Sequence, residues 1–304
     1  MSRFSQILSR FFVSKRMRWT LWLMLLFCLL FLGLLKSYEL YLDTTFPKDV
    51  IEARFAPLTS QYGIKIVYEV SESFFSELVN PIVSAGPKRN STVTPIRNRV
   101  LLRYPKLLQT AFEKYPLGVI KDYLNAIHFA ASIHDNGFLC AGSYDPFRKV
   151  IYLVDNGWVR EDQALSTFHH EFSSLLLNGH SLVLNPWIDQ NPKDFVYLYK
   201  TGQKHIEVFN KSSIDGNEED YEKGFMNTYG QTNFENDFNE YSAMILTYPE
   251  KFKQIMNQYP RVRGKFLVWL KFYQEIDPIF TEEYLLGAKQ NVSTLERGNA
   301  RAAS

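Results

Sequence analysis

From Trp19 to Leu35 every residue except Thr20 and Gly33 is apolar. At about 1.5 Å per residue these 17 residues reach roughly 26 Å, the lower end of what crosses a bilayer. The segment therefore reads as a spanning helix or a signal peptide. Arg3, Arg10, Lys15, Arg16 and Arg18 precede it and no acidic residue does, which places the N-terminus in the cytoplasm and the bulk of the chain outside. A cleaved signal wants small residues after its apolar core, and Leu34-Leu35-Lys36-Ser37-Tyr38 offers none. Phe27 before Cys28 is likewise too large for a lipoprotein processing site. The expectation is an uncleaved signal anchor over 19–35, with a basic cytoplasmic leader over 1–18 and the remainder outside the cytoplasm.

That leader also explains the charge. The chain of 304 residues carries 34 Lys+Arg and 32 Asp+Glu; with the six basic residues up to Lys36 set aside, 28 basic face 32 acidic. The exported part is slightly acidic, which excludes a nucleic-acid partner as the reading of the basic sequence pI. Cys28 lies within the apolar stretch, so Cys140 has no partner for an intrachain disulfide in the exported domain.

Residues 36–60 read as a juxtamembrane connector, 61–288 as the folded domain and 289–304 as a tail with little to bury. Ile64 to Val70 alternates as a strand on a half-buried sheet face. Residues 84–98 show no hydrophobic period and read as an exposed excursion. Leu108, Phe112, Leu117, Ile120, Leu124 and Ile127 recur at helical spacing over 106–134, with Pro116 splitting the run into two helices. Val150 to Val154 reads as a buried strand. Residues 185–224 read as a long surface segment with a small strand near Phe195 to Tyr199, and 249–272 with 278–288 as a terminal helical pair.

Chemistry concentrates in Gln163 to Leu177. On a helical wheel Leu165, Phe168, Phe172, Leu175 and Leu176 share the core side, while Gln163, Ser166, Thr167, His170, Ser173 and Ser174 share the opposite face. In zinc hydrolases two imidazoles at i and i+4 bind the metal and a Glu after the first acts as general base. Here His170-Glu171 supplies the first two and Ser174 stands where the second imidazole would be. A neutral hydroxyl is a poor zinc ligand, so by pattern alone a polar face with hydrogen-bonded histidines stands beside the metal reading. Glu235 to Leu246 forms a second amphipathic helix whose buried side is Phe238, Tyr241 and Ile245, from which Glu240 projects away. His128 reads as a buried, hydrogen-bonded residue.

Taken together, Thr167 to Ser174, Gly224-Phe225-Met226-Asn227-Thr228-Tyr229-Gly230 and Glu235 to Tyr241 resemble the zinc-binding metallopeptidases of bacterial cell envelopes, distant relatives of the anthrax lethal factor catalytic domain. The resemblance implies an α+β, zincin-like fold of gluzincin type: a mixed sheet, an active-site helix and a helical C-terminal lobe behind one transmembrane helix. It implies Zn2+ as cofactor, a peptide or protein substrate, His170 and Glu240 as metal ligands, Glu171 as catalytic base and Tyr229 as the residue that would stabilise the oxyanion. Ser174 breaks the pattern. His180, His169 or His205 could complete the site, His180 best by spacing, provided its helix ends near Asn178-Gly179. Two functions follow: a membrane-anchored zinc metallopeptidase, or a catalytically inactive relative that binds an envelope polypeptide or glycan.

Overall fold

The computed structural model describes residues 15–45, 47–69, 91–135, 138–198 and 215–287. The chain divides into two units, Met1–Ile51 and Glu52–Ser304. The first is dominated by helix α1 (Lys15–Thr45), in which the 20 residues Trp19–Tyr38 are long and apolar enough to cross a membrane. Their apolar side chains are exposed: Trp19, Leu23, Phe27 and Leu34 are all more than half exposed. Such an all-round apolar helix has no core-facing stripe.

The sequence expects a connector after the anchor, yet helix α2 (Lys48–Tyr62) occupies it and buries Phe55, Leu58 and Tyr62. Strand β1 is Lys65–Val67; the expected strand up to Val70 ends there among the described residues. Strand β2 (Ser91–Pro95) and a short helix α3 (Asn98–Leu101) replace the second half of the expected excursion. The helical reading of 106–134 holds for α4 (Tyr104–Phe112) and α5 (Leu117–Tyr123), which part at Pro116. It fails beyond. Residues Ala126–Asp135 form the long strand β3, with His128 buried in it.

Strands β4 (Phe138–Cys140), β5 (Gly142–Asp145) and β6 (Val150–Val154) follow. β3 is the centre of a mixed sheet, parallel to β1 and to β6 and antiparallel to β2 and β4, while β5 runs antiparallel on the outer side of β6. Phe129 of β3 stacks edge-on against Tyr104 at 4.5 Å and meets Phe55 at 6.1 Å. Ala126, Ala130 and Ile133 gather with Val93, Val150 and Tyr152 in a second buried cluster.

Helix α6 (Glu161–Gly179) leaves the sheet after β6 and packs back on β5 and β6 and on α4 and α5. Phe168 and Phe172 stack on one another at 5.6 Å and receive Phe112 and Tyr115. The segment after it contains helix α7 (Asn185–Ile188), which replaces the surface segment's start, and no strand at Phe195 to Leu198; helix α8 (Glu218–Lys223) ends on Gly224 in the left-handed conformation that glycine adopts without a Cβ penalty. After a single 3-10 turn (Tyr229–Gln231) come α9 (Phe234–Thr247), α10 (Pro249–Gln258), α11 (Pro260–Ile276) and α12 (Glu282–Leu286). α9 lies against α6 on one side and against α10, α11 and α12 on the other. Trp269 and Tyr273 of α11 stack at 3.8 Å beneath it.

Candidate functional site

The seam between α6 and α9 collects the polar residues of both helices. The face bearing His170, Ser173 and Ser174 is not a solvent face: Ser173 and Ser174 are buried because α9 covers them. Buried polar atoms must find partners, and here they find each other. Ser173 Oγ lies 2.8 Å from Ser242 Oγ, which also receives the Trp269 indole N–H at 2.8 Å. Two short side chains allow the helices to close on this point.

One turn along, His170 Nδ1 lies 2.9 Å from Glu240 Oε1 across 70 residues of chain. Asn227 Nδ2 donates to the other oxygen of Glu240 at 2.5 Å, while Asn227 Oδ1 accepts the Gly230 N–H at 3.0 Å. The turn 227–231 is thereby tied to the carboxylate, and the Tyr229 ring sits 5.9 Å from the His170 ring, centroid to centroid. Burial opposes protonation of His170, but the Glu240 hydrogen bond and the charges of Glu171, Glu240 and Glu235 outweigh it and raise its pKa.

One turn after His170, Ser174 Oγ donates to Glu235 Oε1 at 2.9 Å and accepts from Asn239 Nδ2 at 2.6 Å. Glu235 Oε1 also receives the Tyr144 hydroxyl from β5 at 2.5 Å, and Asn178 Nδ2 stands 3.3 Å from that hydroxyl. Burial, followed by the neighbouring Glu235 charge, pushes the Tyr144 phenol well above its ordinary pKa, so it stays a donor. Asn239 is fully buried and its Oδ1 has no partner among the described residues.

Glu171 is 9% exposed. Burial raises its carboxyl to about 7; the His170 charge pulls it down and Glu235 and Glu240 push it up. It takes no hydrogen bond among the described residues, and the backbone of β5 passes directly over it: a Cβ at Gly142 would stand 2.8 Å from Glu171 Oε1. Glycine at 142 is therefore what permits this strand to lie so close.

α9 itself is anchored from behind by a buried ion pair. Asp237 Oδ2 accepts from Lys265 Nζ at 2.6 Å, Tyr197 OH at 2.7 Å and Trp187 Nε1 at 2.8 Å. Lys265 is fully buried with its ammonium 3.8 Å over the Phe225 ring, a cation–π position.

The structure thus brings His170, Glu171 and Glu240 together, with Tyr229 beside His170, and among the described residues holds the other histidines elsewhere. α6 does end at Gly179, but His180 turns outward in extended conformation, and its Nε2 meets the Tyr123 hydroxyl at 2.5 Å beside Phe272. His169 points into the core, its Nδ1 2.9 Å from the Tyr115 hydroxyl. His205 lies outside the described residues. Among the described residues no group of three or more His, Cys, Asp or Glu side chains is arranged to hold a metal ion. A three-ligand zinc centre does not fit this donor set: the hydroxyl at the second ligand position is already committed to Glu235 and Asn239, and a neutral hydroxyl is a weak donor to zinc. Sequence reasoning missed Tyr144, Asn227, Glu235 and Asn239. Asn227 and Asn239 lay within the quoted stretches, and Glu235 opened the last of them; Tyr144 carried no signal.

No protein-family model matches the chain and no curated protein matches it. A solved structure from Bacteroides caccae, described as that of a candidate zinc-binding metallo-peptidase, is similar over 83% of this chain and 90% of that one, with a TM-score of 0.47 and 15% sequence identity.

Proposed function

We propose that this chain is a membrane-anchored protein whose exported α+β domain binds an extended polypeptide in the cleft between β5 and the α6–α9 seam. It is built on a zincin-like scaffold in which hydrogen bonds stand where a metal centre would be. One observation carries the reading: Ser174, at the second ligand position, is buried and shared between Glu235 and Asn239. The motif stretches around His170, Tyr229 and Glu240 support the scaffold, and the basic leader followed by Trp19–Tyr38 supports the anchor with an extracytoplasmic domain. β5 supports the polypeptide: it is the terminal strand of the sheet among the described residues, and an open strand edge pairs with an extended chain through backbone hydrogen bonds.

Zinc content tests it. The full chain in detergent, exposed to excess zinc and desalted, is expected to retain far less than one metal per molecule. The peptidase reading keeps one specific feature in its favour, the Glu171 carboxyl held beside His170, which burial pushes up to about 7, as suits a general base. Near-stoichiometric zinc that is lost in Glu240→Gln, together with peptide hydrolysis that is lost in Glu171→Gln, would establish the peptidase and overturn the binding protein.

A further inference from the structure

Two residues of β5 face the cleft. Gly142 stands over Glu171 and Thr167, and Tyr144 donates to Glu235; being two apart, they share one face of the strand. A polypeptide paired along the outer edge of β5 would continue that face about 4.8 Å further out, sending every second side chain toward Glu171, Glu235 and Glu240.

These three carboxyls surround a single imidazole. Glu235 is served by two hydroxyls, Ser174 and Tyr144, and Glu240 by His170 and the Asn227 amide. Apart from His170, the donors are neutral. The nearby buried cation Lys265 is spent on Asp237. Glu171, nine-tenths buried, makes no hydrogen bond among the described residues, and Asn239 Oδ1 in the same network is buried with no partner among them. Acceptors and negative charge are left over, and what is missing is a positively charged donor. A lysine ammonium brings three N–H groups and an arginine guanidinium five, and their bonds to carboxylate are the strong, charge-assisted kind.

We propose that the cleft takes a basic side chain, lysine or arginine, from an extended polypeptide laid along β5, with Glu171 and Glu235 as the residues that select it. This rests on the polypeptide-binding reading above and adds the class of ligand.

The test uses the full chain in detergent micelles with EDTA present, and three fluorescent peptides of one alternating Ser/Val sequence that differ only in a central Lys, Gln or Glu. Fluorescence anisotropy is expected to give at least about tenfold tighter binding for Lys than for Gln (about 1.4 kcal/mol), and weaker binding still for Glu. The preference is expected to shrink as salt is raised and to fall below about threefold in Glu171→Gln and in Glu235→Gln. Glu171→Gln removes no hydrogen bond of the fold, so its result is readable even if Glu235→Gln unfolds. Equal binding of all three peptides overturns the selection and leaves the polypeptide reading standing. A Lys preference unchanged in Glu171→Gln overturns it too. Binding that appears only when a divalent metal replaces EDTA overturns it by assigning the cleft to a cation, and binding of none overturns both.

Discussion

Glu171→Gln should stabilise the protein more at pH 8 than at pH 5. The folded carboxyl titrates near 7 because burial disfavours its charge, whereas an unfolded Glu titrates near 4.5. The folded state therefore holds the extra proton between these values. The stabilising influence of the protonated form is complete below about pH 4.5 and is lost as pH rises through about 7. At about 1.4 kcal/mol per pKa unit, the wild-type chain forfeits roughly 2–3 kcal/mol between pH 5 and pH 8 through this group. Glutamine keeps the shape and cannot ionise, so the variant escapes that loss. It also removes one of the charges that support His170, which returns part of the gain wherever His170 is protonated. Urea unfolding of the full chain in micelles, followed by tryptophan fluorescence, reads the difference. The pH-independent offset from burying an amide cancels when the two pH values are subtracted. A difference between variant and wild type that is the same at both pH values would refute the argument, because it would mean that Glu171 is hydrated or already paired.

Removing Asp237 should be the most damaging polar change: Asp237→Ala leaves the buried Lys265 ammonium with no counter-charge and is expected to cost about 3–5 kcal/mol, read as a lower urea midpoint, whereas Lys265→Met, which can fill the aromatic box, should cost less. Ser174→Ala strips a donor from Glu235 and a partner from Asn239, and an expected loss of about 1–3 kcal/mol checks that this hydroxyl belongs to the fold. Gly142→Val places a Cβ 2.7 Å from Thr167 Cγ2 and 2.8 Å from Glu171 Oε1, so the Thr167 and Glu171 side chains must shift or β5 must lift from α6; weakened binding of the Lys peptide with a lowered thermal midpoint is the expected outcome.

How far the sequence discloses this site depends on which contacts are local. α6 and α9 are readable because each has an apolar stripe at helical period, Phe168-Phe172-Leu176 on one and Phe238-Tyr241-Ile245 on the other. Their polar faces are misread for the same reason: periodicity marks Ser173 and Ser174 as the side away from the core, and only tertiary packing turns that side toward a second polar face. β3 fails differently. Ala126 through Ala130 are buried without a break, as befits a strand with neighbours on both edges and packing on both faces, so the alternation that identifies a strand is absent. Leu124 and Ile127 then extend the helical spacing of α5 by coincidence. His180 is lost to a contact 57 residues distant, the Tyr123 hydroxyl, which no spacing rule can anticipate.

Four side-chain hydrogen bonds cross-link α6 to α9: His170 with Glu240, Ser173 with Ser242, and Ser174 with both Asn239 and Glu235. In a metal centre the ion itself joins such helices, and its binding free energy becomes part of folding. Here each join is already made by hydrogen bonds between buried or partly buried side chains, and Asp237 with Lys265 fixes α9 from its other face. A chelator should therefore leave the thermal midpoint of the full chain unchanged, and zinc should not raise it. The expectation is quantitative, because a ligand held only by the folded state at 100 times its dissociation constant adds about 2.7 kcal/mol, which for a domain of this size is roughly 5–10 °C. A zinc-dependent rise of that order, abolished in Glu240→Gln, would show that the His170–Glu240 contact opens to admit an ion and that the seam depends on it.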